Sequence, residues 1–320
     1  MATVREFRVG DGERLVDAWR RSVHNDPVTP RRFRDLVLLD PNFDPAGLRV
    51  ALDGDRIVGA AYAVRRRVAM VGADLEPGNG WIPFFFVVPE ARRRGVGDAV
   101  LRSALDWLRH QGHTTVEFSS YTPNYILPGL DAAAYPCALR LLERHGFRTR
   151  YEAAAMDRGL VDYAVPADVA DRIRALTADG YTFGTPTDDE LVDLVRLAND
   201  EFNPDWARAI RACVTAGTPT DRIVTAREPD GTLVGWAMHE AYEGMTERFG
   251  PFGVLESRRG TGLGKVLLHL TLERMRALGA HSAWFLWTGE KSPAGQLYLR
   301  TGFTVTRRFR VMRAELTGRP

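Results

Sequence analysis

Two glycine-rich turns are the segments of this sequence best suited to bind a ligand. One runs from Arg92 to Gly97 as Arg-Arg-Arg-Gly-Val-Gly, and the other runs from Arg259 to Gly264 as Arg-Gly-Thr-Gly-Leu-Gly. Each turn follows an apolar run of strand composition and precedes apolar residues at helical spacing. The first N–H groups of a helix have no intrahelical acceptor and lie at the positive end of its dipole, so they attract anions. Because glycine lets a ligand approach the backbone closely, the pattern predicts a pyrophosphate site.

Two better-known phosphate motifs do not fit these turns. A P-loop needs glycine, four further residues and then Gly-Lys-Ser/Thr, whereas position 259 is Arg and Val266 follows Lys265. A dinucleotide-binding fingerprint needs glycine where Lys265 stands. A turn without any ligand is the plain alternative, and the recurrence of the turn in a matching context argues against it.

The sequence repeats one order of features in its two halves. The matching landmarks are Leu15-Val16 and Leu191-Val192 in a first helix, Val58-Gly59 and Val234-Gly235 in a hairpin, the two glycine turns, and Gly146-Phe147 and Gly302-Phe303 near the end of each half. This fixed order indicates an internal duplication. We therefore predict two domains, residues 1–160 and 161–320, with a helical segment from Pro166 that connects the copies or opens the second.

The composition is that of a globular protein of two ordinary domains. The 320 residues include 45% hydrophobic and 26% charged ones, and the net charge is +2. Neither a nucleic acid nor a membrane is therefore an expected partner. Cys137 and Cys213 stand in no metal-binding pattern, and the apolar run from Trp81 to Pro89 is too short to cross a bilayer. With no signal-peptide pattern at the start, we expect a cytoplasmic protein, monomeric or homodimeric, without a metal.

The pattern Arg-x-x-Gly-x-Gly, placed after a strand and at the start of a helix, resembles the GCN5-related N-acetyltransferase family, in its tandem two-domain form. Both copies carry the pattern, and the Gly-Phe pairs downstream extend the resemblance over nearly the whole chain. The resemblance implies a mixed α/β fold, in which each half has a central, mostly antiparallel sheet flanked by helices. It also implies that this sheet splays between its fourth and fifth strands, with acetyl-CoA in the splay and its pyrophosphate on the turn.

The resemblance also implies which residues hold acetyl-CoA. The strand before each turn would offer backbone groups to the pantetheine and the thioester, and a backbone N–H of Val254 would polarise the thioester carbonyl. The expected cofactor-binding residues are Val254, Leu255, Arg259, Gly260, Thr261, Gly262, Leu263, Gly264 and Lys265 in the second copy, and Val87, Val88, Arg92, Arg93, Arg94, Gly95, Val96 and Gly97 in the first.

The two copies differ at the position that serves the leaving thiolate in this family, a tyrosine four residues before the glycine of Gly-Phe. The second copy has Tyr298 there, and the first has Leu142, which cannot donate a proton. The alternative role of Tyr298 is packing of its ring. Lys265 after the second turn favours a pyrophosphate, whereas Asp98 after the first opposes one. We therefore expect the second copy to be catalytic, and the first to be degenerate: structural, or CoA-binding but inactive.

The general base is expected in the second copy as well. An alkylammonium group has a pKa of about 10, so the amine must lose a proton before it attacks. The candidates are His239, Glu240, Glu243, Glu247 and Glu290. Glu240, on the predicted third strand, and Glu290, after a later strand, are the first choices. A solvated carboxylate without a catalytic role is the alternative for each.

These features favour an N-acetyltransferase that moves an acetyl group from acetyl-CoA to a primary amine of a small molecule. Direct attack in a ternary complex is expected, because no cysteine stands in a motif that suggests a covalent acetyl-enzyme. Two alternatives stay open: a non-catalytic CoA-binding or regulatory module, and an acyltransferase that uses a longer acyl-CoA.

Overall fold

A computed structural model describes residues 2–316, and these residues divide into two compact units. Unit 1 comprises residues 2–69, 73–153 and 308–316, and unit 2 comprises residues 70–72 and 154–307. Two strands run through both units: residues 148–153 of β6 (Arg148–Gly159) and 308–315 of β12 (Thr304–Glu315) belong to unit 1, and the remainder belongs to unit 2. The predicted domain boundary at residue 160 follows directly on β6.

The remaining strands and helices are ordered similarly in the two units. Those of unit 1 are β1 (Thr3–Glu6), α1 (Asp11–Ser22), α2 (Pro30–Phe33), β2 (Leu48–Asp53), β3 (Arg56–Val64), β4 (Asn79–Val87), α3 (Val96–His110), β5 (Thr115–Phe118) and α4 (Pro136–Arg144). Those of unit 2 are α5 (Ala167–Ala178), β7 (Thr182–Gly184), α6 (Glu190–Glu201), α7 (Pro204–Thr215), β8 (Ile223–Arg227), β9 (Leu233–His239), β10 (Phe249–Val254), α8 (Leu263–Ala277), β11 (Ser282–Thr288) and α9 (Pro293–Arg300). The predicted helix after Pro166 is thus α5.

The sheet of unit 1 has the strand order β1-β2-β3-β4-β5-β12. All neighbouring strands are antiparallel except β4 and β5, which are parallel. The β4–β5 pairing extends only from Asn79 to Ile82 of β4, so the second half of β4 has no β5 partner. The two strands therefore diverge towards the glycine turn that follows β4.

The strands of unit 2 show the same divergence. The order β10-β9-β8-β7 is antiparallel throughout, and β11 pairs with residues 154–159 of β6. Between β10 and β11 a single isolated bridge joins Arg248 to Trp284 in the described residues. The mixed α/β fold and the mostly antiparallel sheets flanked by helices are thus confirmed, together with the splay between the fourth and fifth strands of each copy.

Local sequence explains the elements that carry the turns. The hairpin between β8 and β9 reverses at Gly231 with a φ of +86°, a conformation that glycine adopts without strain. Along β9 the buried side chains alternate between two clusters, one with α8 and one with α6 and α7, so both faces of the strand are covered. The sheet therefore gives α8 and the turn before it a rigid support.

No helix among residues 2–316 is both long enough and apolar enough to cross a membrane. The same residues contain no cluster of three or more histidine, cysteine or carboxylate side chains that could hold a metal ion.

Candidate functional site

The glycine turn of unit 1 has the backbone geometry of an anion site. Gly95 precedes α3 with a φ of +79°, and Arg93 also has a positive φ of +60°. Arg93, Arg94 and Gly95 are exposed, whereas the side chain of Val96 is buried in the core. Successive N–H groups in this conformation form a concave surface that attracts anions.

A cavity of about 830 Å³ lies beside this turn. Its lining includes the second half of β4, the start of α3, Phe118 of β5 and much of α4. Leu127 and Leu130, from the long segment between β5 and α4, also line it. The cavity therefore occupies the space that the divergence of β4 and β5 opens, and it is largely apolar with a basic edge.

Two charged side chains at the turn of unit 1, Asp98 and Arg92, are held by hydrogen bonds to other residues of this unit. Asp98 forms hydrogen bonds with Arg102 and with His145, whose Nε2 lies 2.8 Å from a carboxylate oxygen of Asp98. The Arg102 guanidinium offsets the charge of Asp98 that was expected to repel a pyrophosphate. Arg92 is held by the main-chain oxygens of Val87 and Ser22, at 3.1 and 3.2 Å. Arg92 therefore shapes the end of β4 rather than projecting freely into solvent.

The glycine turn of unit 2 has a similar backbone. Gly260 has a φ of +81°, and Gly262 precedes α8 with a φ of +89°. The side chain of Leu263 is buried, and Gly264 lies in the first turn of α8. The hydroxyl of Thr261 donates to the main-chain oxygen of Arg258 at 2.8 Å, which closes the turn.

The two basic side chains predicted at this turn both have acidic partners. Arg259 pairs with Glu256 at 3.0 Å, and both side chains are largely exposed. Lys265 Nζ lies 2.5 Å from an oxygen of Asp168 on α5. Exposed pairs of this kind are weak, so either cation can still turn towards an anionic ligand.

At the end of each fourth strand, one N–H group faces away from the neighbouring third strand. The N–H of Leu255 donates to Val234 at 2.9 Å, and the N–H of Val88 donates to Val58 at 2.9 Å. Alternate residues of a paired strand point to opposite edges, so the N–H groups of Val254 and Val87 face the diverging side. The N–H groups of Leu255 and Val88 are used within the sheet, and the expectation that these two residues contact acetyl-CoA stays a prediction.

Tyr298 lies on α9 at the divergence of β10 and β11. Its ring is 4.5 Å from Phe285, 5.5 Å from Phe303, 6.0 Å from Phe249 and 6.1 Å from Phe252 between ring centroids. The side chain is only 7% exposed. Burial raises the pKa of Tyr298 well above its usual value, so the hydroxyl keeps its proton at neutral pH. Leu142, at the matching position of unit 1, is fully buried in the apolar core.

Glu240 follows β9 directly and has a positive φ of +65°. One of its carboxylate oxygens contacts Arg222 Nε at 2.9 Å and the Thr246 hydroxyl at 3.3 Å. Its N–H donates to the main-chain oxygen of Arg248, beside the first residue of β10. That first residue, Phe249, contacts the Tyr298 ring, which links the position of Glu240 to that of Tyr298 through one strand.

Glu290 lies in the loop between β11 and α9. Its main-chain oxygen accepts a hydrogen bond from the Gln296 side chain at 3.1 Å. The backbone of Glu290 is also packed against Gly295, where an added Cβ would lie 2.6 Å from the Glu290 oxygen. The loop is thus fixed to the first turn of the helix that carries Tyr298.

The other candidate bases are occupied by structural contacts. Glu247 accepts hydrogen bonds from the Ser282 hydroxyl and from the N–H groups of His281 and Ser282, which lower the pKa of its carboxyl group. Glu243 pairs with Arg248 at 3.0 Å. His239 is fully buried, and burial lowers the pKa of its imidazole. Glu240 is likewise paired, with Arg222, so the choice of Glu240 and Glu290 as the first candidates stays a prediction.

Sequence reasoning missed several side chains at both turns. The guanidinium of Arg172 on α5 contacts the turn of unit 2, but α5 carries no motif that would have indicated this. Tyr135 and Cys137 line the cavity of unit 1. The Tyr135 hydroxyl accepts from the N–H of Asn25 at 3.1 Å and lies 3.4 Å from an Asp26 oxygen. Tyr135 ends the long segment between β5 and α4, and Cys137 lies in the first turn of α4, so no motif indicated either residue.

Both turns fit the diphosphate and pantetheine of acetyl-CoA. Gly95 and Gly262 begin their helices with positive φ, as an anion site on the backbone requires. Gly264 has only ordinary contacts, its nearest neighbour being an atom of Phe252 at 3.5 Å from an added Cβ. The N–H groups of Val87 and Val254 lie beside the diverging strands, where an extended amide chain would pair, although the Val87 oxygen already accepts from Arg92. No metal-binding group is needed for this fit.

Comparison with known proteins agrees with the duplicated architecture. The Acetyltransferase (GNAT) family profile matches residues 13–126 and again residues 188–303. A mycothiol acetyltransferase of Clavibacter michiganensis subsp. michiganensis is 29% identical over 305 residues, which cover 90% of this chain and 87% of that protein. Each half of the chain thus matches the family separately.

Two solved structures share the fold at low sequence identity. One is a GCN5-related glucosamine N-acetyltransferase region of a fungal multi-domain GH3 β-N-acetylglucosaminidase, with a TM-score of 0.81 and 19% identity over 98% of this chain and 38% of that one. The other is a tandem GNAT protein from the clavulanic acid biosynthesis pathway, with a TM-score of 0.66 and 18% identity over 99% of both chains. The chain therefore belongs to the acetyltransferase (GNAT) family, as an N-acetyltransferase with one family domain in each half.

Proposed function

We propose that this enzyme transfers the acetyl group of acetyl-CoA to a primary amine of a small molecule, by direct attack in a ternary complex within unit 2. The observation that carries the proposal is the buried hydroxyl of Tyr298 at the splay of β10 and β11. The raised pKa of Tyr298 keeps a proton available where a thiolate would leave. Unit 1 has no such group at the matching position, since Leu142 stands there.

Bound acetyl-CoA supplies an activated thioester carbonyl to this site. The N–H of Val254 faces the splay and is placed to donate to that carbonyl oxygen, and backbone donors of this kind stabilise the developing oxyanion. The Tyr298 hydroxyl donates to the leaving sulfur as the carbon–sulfur bond breaks, and it regains its proton from water after CoA has left the site. The apolar rings around Tyr298 exclude water, which strengthens both hydrogen bonds.

The base that receives the proton of the attacking amine is Glu240 in this proposal, acting directly or through one water molecule. Its pairing with Arg222 holds the carboxylate in one orientation at the end of β9. The positive φ of Glu240 is a strained backbone conformation that surrounding structure must hold, as often occurs at functional sites. Glu290 is the second choice, because its loop is fixed to the helix that carries Tyr298.

In unit 1 we propose a retained acetyl-CoA site without catalysis. The cavity of about 830 Å³ beside its glycine turn supports binding, and Leu142 removes the proton donor. The residues of unit 1 that would hold the diphosphate are Arg93, Arg94, Gly95, Val96 and Gly97, through their backbone N–H groups and the two exposed guanidinium groups.

The test is an assay of free-CoA release from acetyl-CoA across a panel of small primary amines. We expect turnover with at least one amine, and a fall in kcat of about a hundredfold or more in Tyr298→Phe. Tyr135→Phe is the matched control, because it removes a hydroxyl from the cavity of unit 1 and should leave kcat within about twofold.

Other outcomes decide against the proposal in distinct ways. Tight acetyl-CoA binding without turnover of any amine would favour a binding module. A large loss in Tyr135→Phe with none in Tyr298→Phe would move the catalytic centre to unit 1. Faster turnover of longer acyl-CoA than of acetyl-CoA would redefine the donor.

A further inference from the structure

Helix α5 contacts the glycine turn of unit 2 through two charged side chains. The Arg172 guanidinium donates two hydrogen bonds to the main-chain oxygen of Thr261, and the one from Nε measures 2.9 Å. Asp168, one helical turn earlier, pairs with Lys265. A Cβ added to Gly262 would lie 3.0 Å from Arg172 Nε, so the side chain rests directly on the turn.

The contact with Thr261 fixes the orientation of one peptide group. The bond between Thr261 and Gly262 is trans, so its C=O and N–H point in opposite directions. With the C=O held by Arg172, the N–H of Gly262 must point away from the Arg172 guanidinium. A reversed peptide would present an oxygen to an anion, and it would lose a charge-assisted pair of hydrogen bonds.

The turn of unit 1 lacks such a restraint. Arg94 matches Thr261, and among the described residues no side chain donates to its main-chain oxygen. An added Cβ on Gly95, which matches Gly262, would have no neighbour within 4 Å. Arg92 is engaged with Val87 and Ser22 instead. The restraint is therefore a property of unit 2 and is not required to form the turn.

We infer that Arg172 is a positioning residue, which holds the turn of unit 2 so that its N–H groups bind the diphosphate of the acyl donor. The inference rests on the proposed function and adds a residue outside the glycine motif to it. Arg172 acts through the backbone, so its effect is confined to donors that carry a diphosphate. A donor that ends at the pantetheine has nothing for this peptide to bind.

Two acetyl donors separate this role from a general structural one. Acetyl-CoA carries the diphosphate, and acetylpantetheine lacks it. In Arg172→Ala we expect KM for acetyl-CoA to rise about tenfold with kcat within about twofold, and KM for acetylpantetheine to stay within about twofold. Arg174→Ala, an exposed residue of the same helix paired with Asp171, is the control and should change neither value.

Hydrogen–deuterium exchange of residues 259–266 gives a second measurement that needs no turnover and reads unit 2 alone. Acetyl-CoA should protect this segment in the wild type and protect it less in Arg172→Ala, and Arg172→Lys should restore part of the protection. Thermal unfolding of each variant checks that α5 stays folded.

The contradicting results are specific. Equal losses with both donors would make Arg172 merely structural and overturn the inference, as would unchanged KM and protection. If acetyl-CoA fails to protect residues 259–266 in the wild type, unit 2 is not the donor site, and the proposed function falls together with the inference. Protection that is the same in wild type and Arg172→Ala overturns only the inference.

Discussion

The two units share one plan, and among their differences are the polar groups at the proposed catalytic positions. Tyr298 of unit 2 corresponds to Leu142 of unit 1, and Glu240 corresponds to Val64, which is buried. The two glycine turns differ in a second way. Both keep their glycines, but only in unit 2 does a side chain, Arg172, hold the peptide group between Thr261 and Gly262. The duplication has thus kept the backbone of the proposed anion site in both units, and the proposed catalytic side chains in one.

The largest effect expected from this difference between the units is the loss of kcat on substitution of the proposed general base. Glu240→Gln should lower kcat about a hundredfold at neutral pH, because the amide cannot accept the proton of the amine. Glu290→Gln keeps the loop contacts of the main chain and should stay within about threefold. Steady-state kinetics over pH 6 to 9 checks both. A large loss in Glu290→Gln alone would transfer the role to that residue.

The second largest effect concerns the stability of the protein in acid, which should depend on His269 on α8 of unit 2. Burial, together with the nearby charges of Arg158 and Lys265, lowers the pKa of His269 to about 4, from 6.5. Between pH 6.5 and pH 4 the unfolded chain therefore takes up a proton that the folded chain refuses, so stability is full above pH 6.5 and falls below it. We expect His269→Gln to remove about 2 kcal/mol of this fall.

Urea unfolding at pH 7 and at pH 4.5 measures this difference in the free energy of unfolding. The exposed His110 of unit 1 provides the control variant, His110→Gln. An equal acid sensitivity of the wild type and His269→Gln would show that the buried imidazole does not contribute.

A smaller effect concerns donor binding by unit 1. Calorimetric titration with acetyl-CoA should give two sites per chain, one in each unit. The double variant Arg93→Ala/Arg94→Ala should weaken one of them about fivefold, because the exposed guanidinium groups add only modest electrostatic attraction. The other site should keep its affinity. One site in the wild type, insensitive to this double variant, would make unit 1 purely structural.

The smallest difference expected is one of packing behind the two turns. Gly264→Ala should raise the free energy of unfolding by about 0.5–1 kcal/mol, since alanine favours the helix and the added methyl group has room. Gly97→Ala should bring no gain, because its Cβ would lie 3.1 Å from Leu141 and 3.3 Å from Val87. Chemical denaturation of the two variants compares them. A gain in Gly97→Ala equal to that in Gly264→Ala would show that these neighbours yield freely.

The sequence predicted the repeated parts of the molecule and the elements whose apolar residues recur at helical or strand spacing. The duplication, the order of strand, turn and helix, the hairpins and α5 could all be predicted, because apolar spacing and glycine placement decide them locally. The direction of the Leu255 N–H could not be predicted, since it depends on strand register. The contact of Arg172 with Thr261 was also not predictable, because the two residues are far apart in sequence and no periodicity joins them.

The division of β6 and β12 between the units has a consequence for synthesis of the chain. Residues 312–315 pair with β5, so the sheet of unit 1 is complete only when the last strand has left the ribosome. Until then β5 presents an open edge, which is a site of mispairing. Most of unit 1 is thus synthesised before unit 2, but its sheet is completed only after unit 2 has been synthesised. An N-terminal fragment ending before Thr304 would lack the strand that closes this sheet.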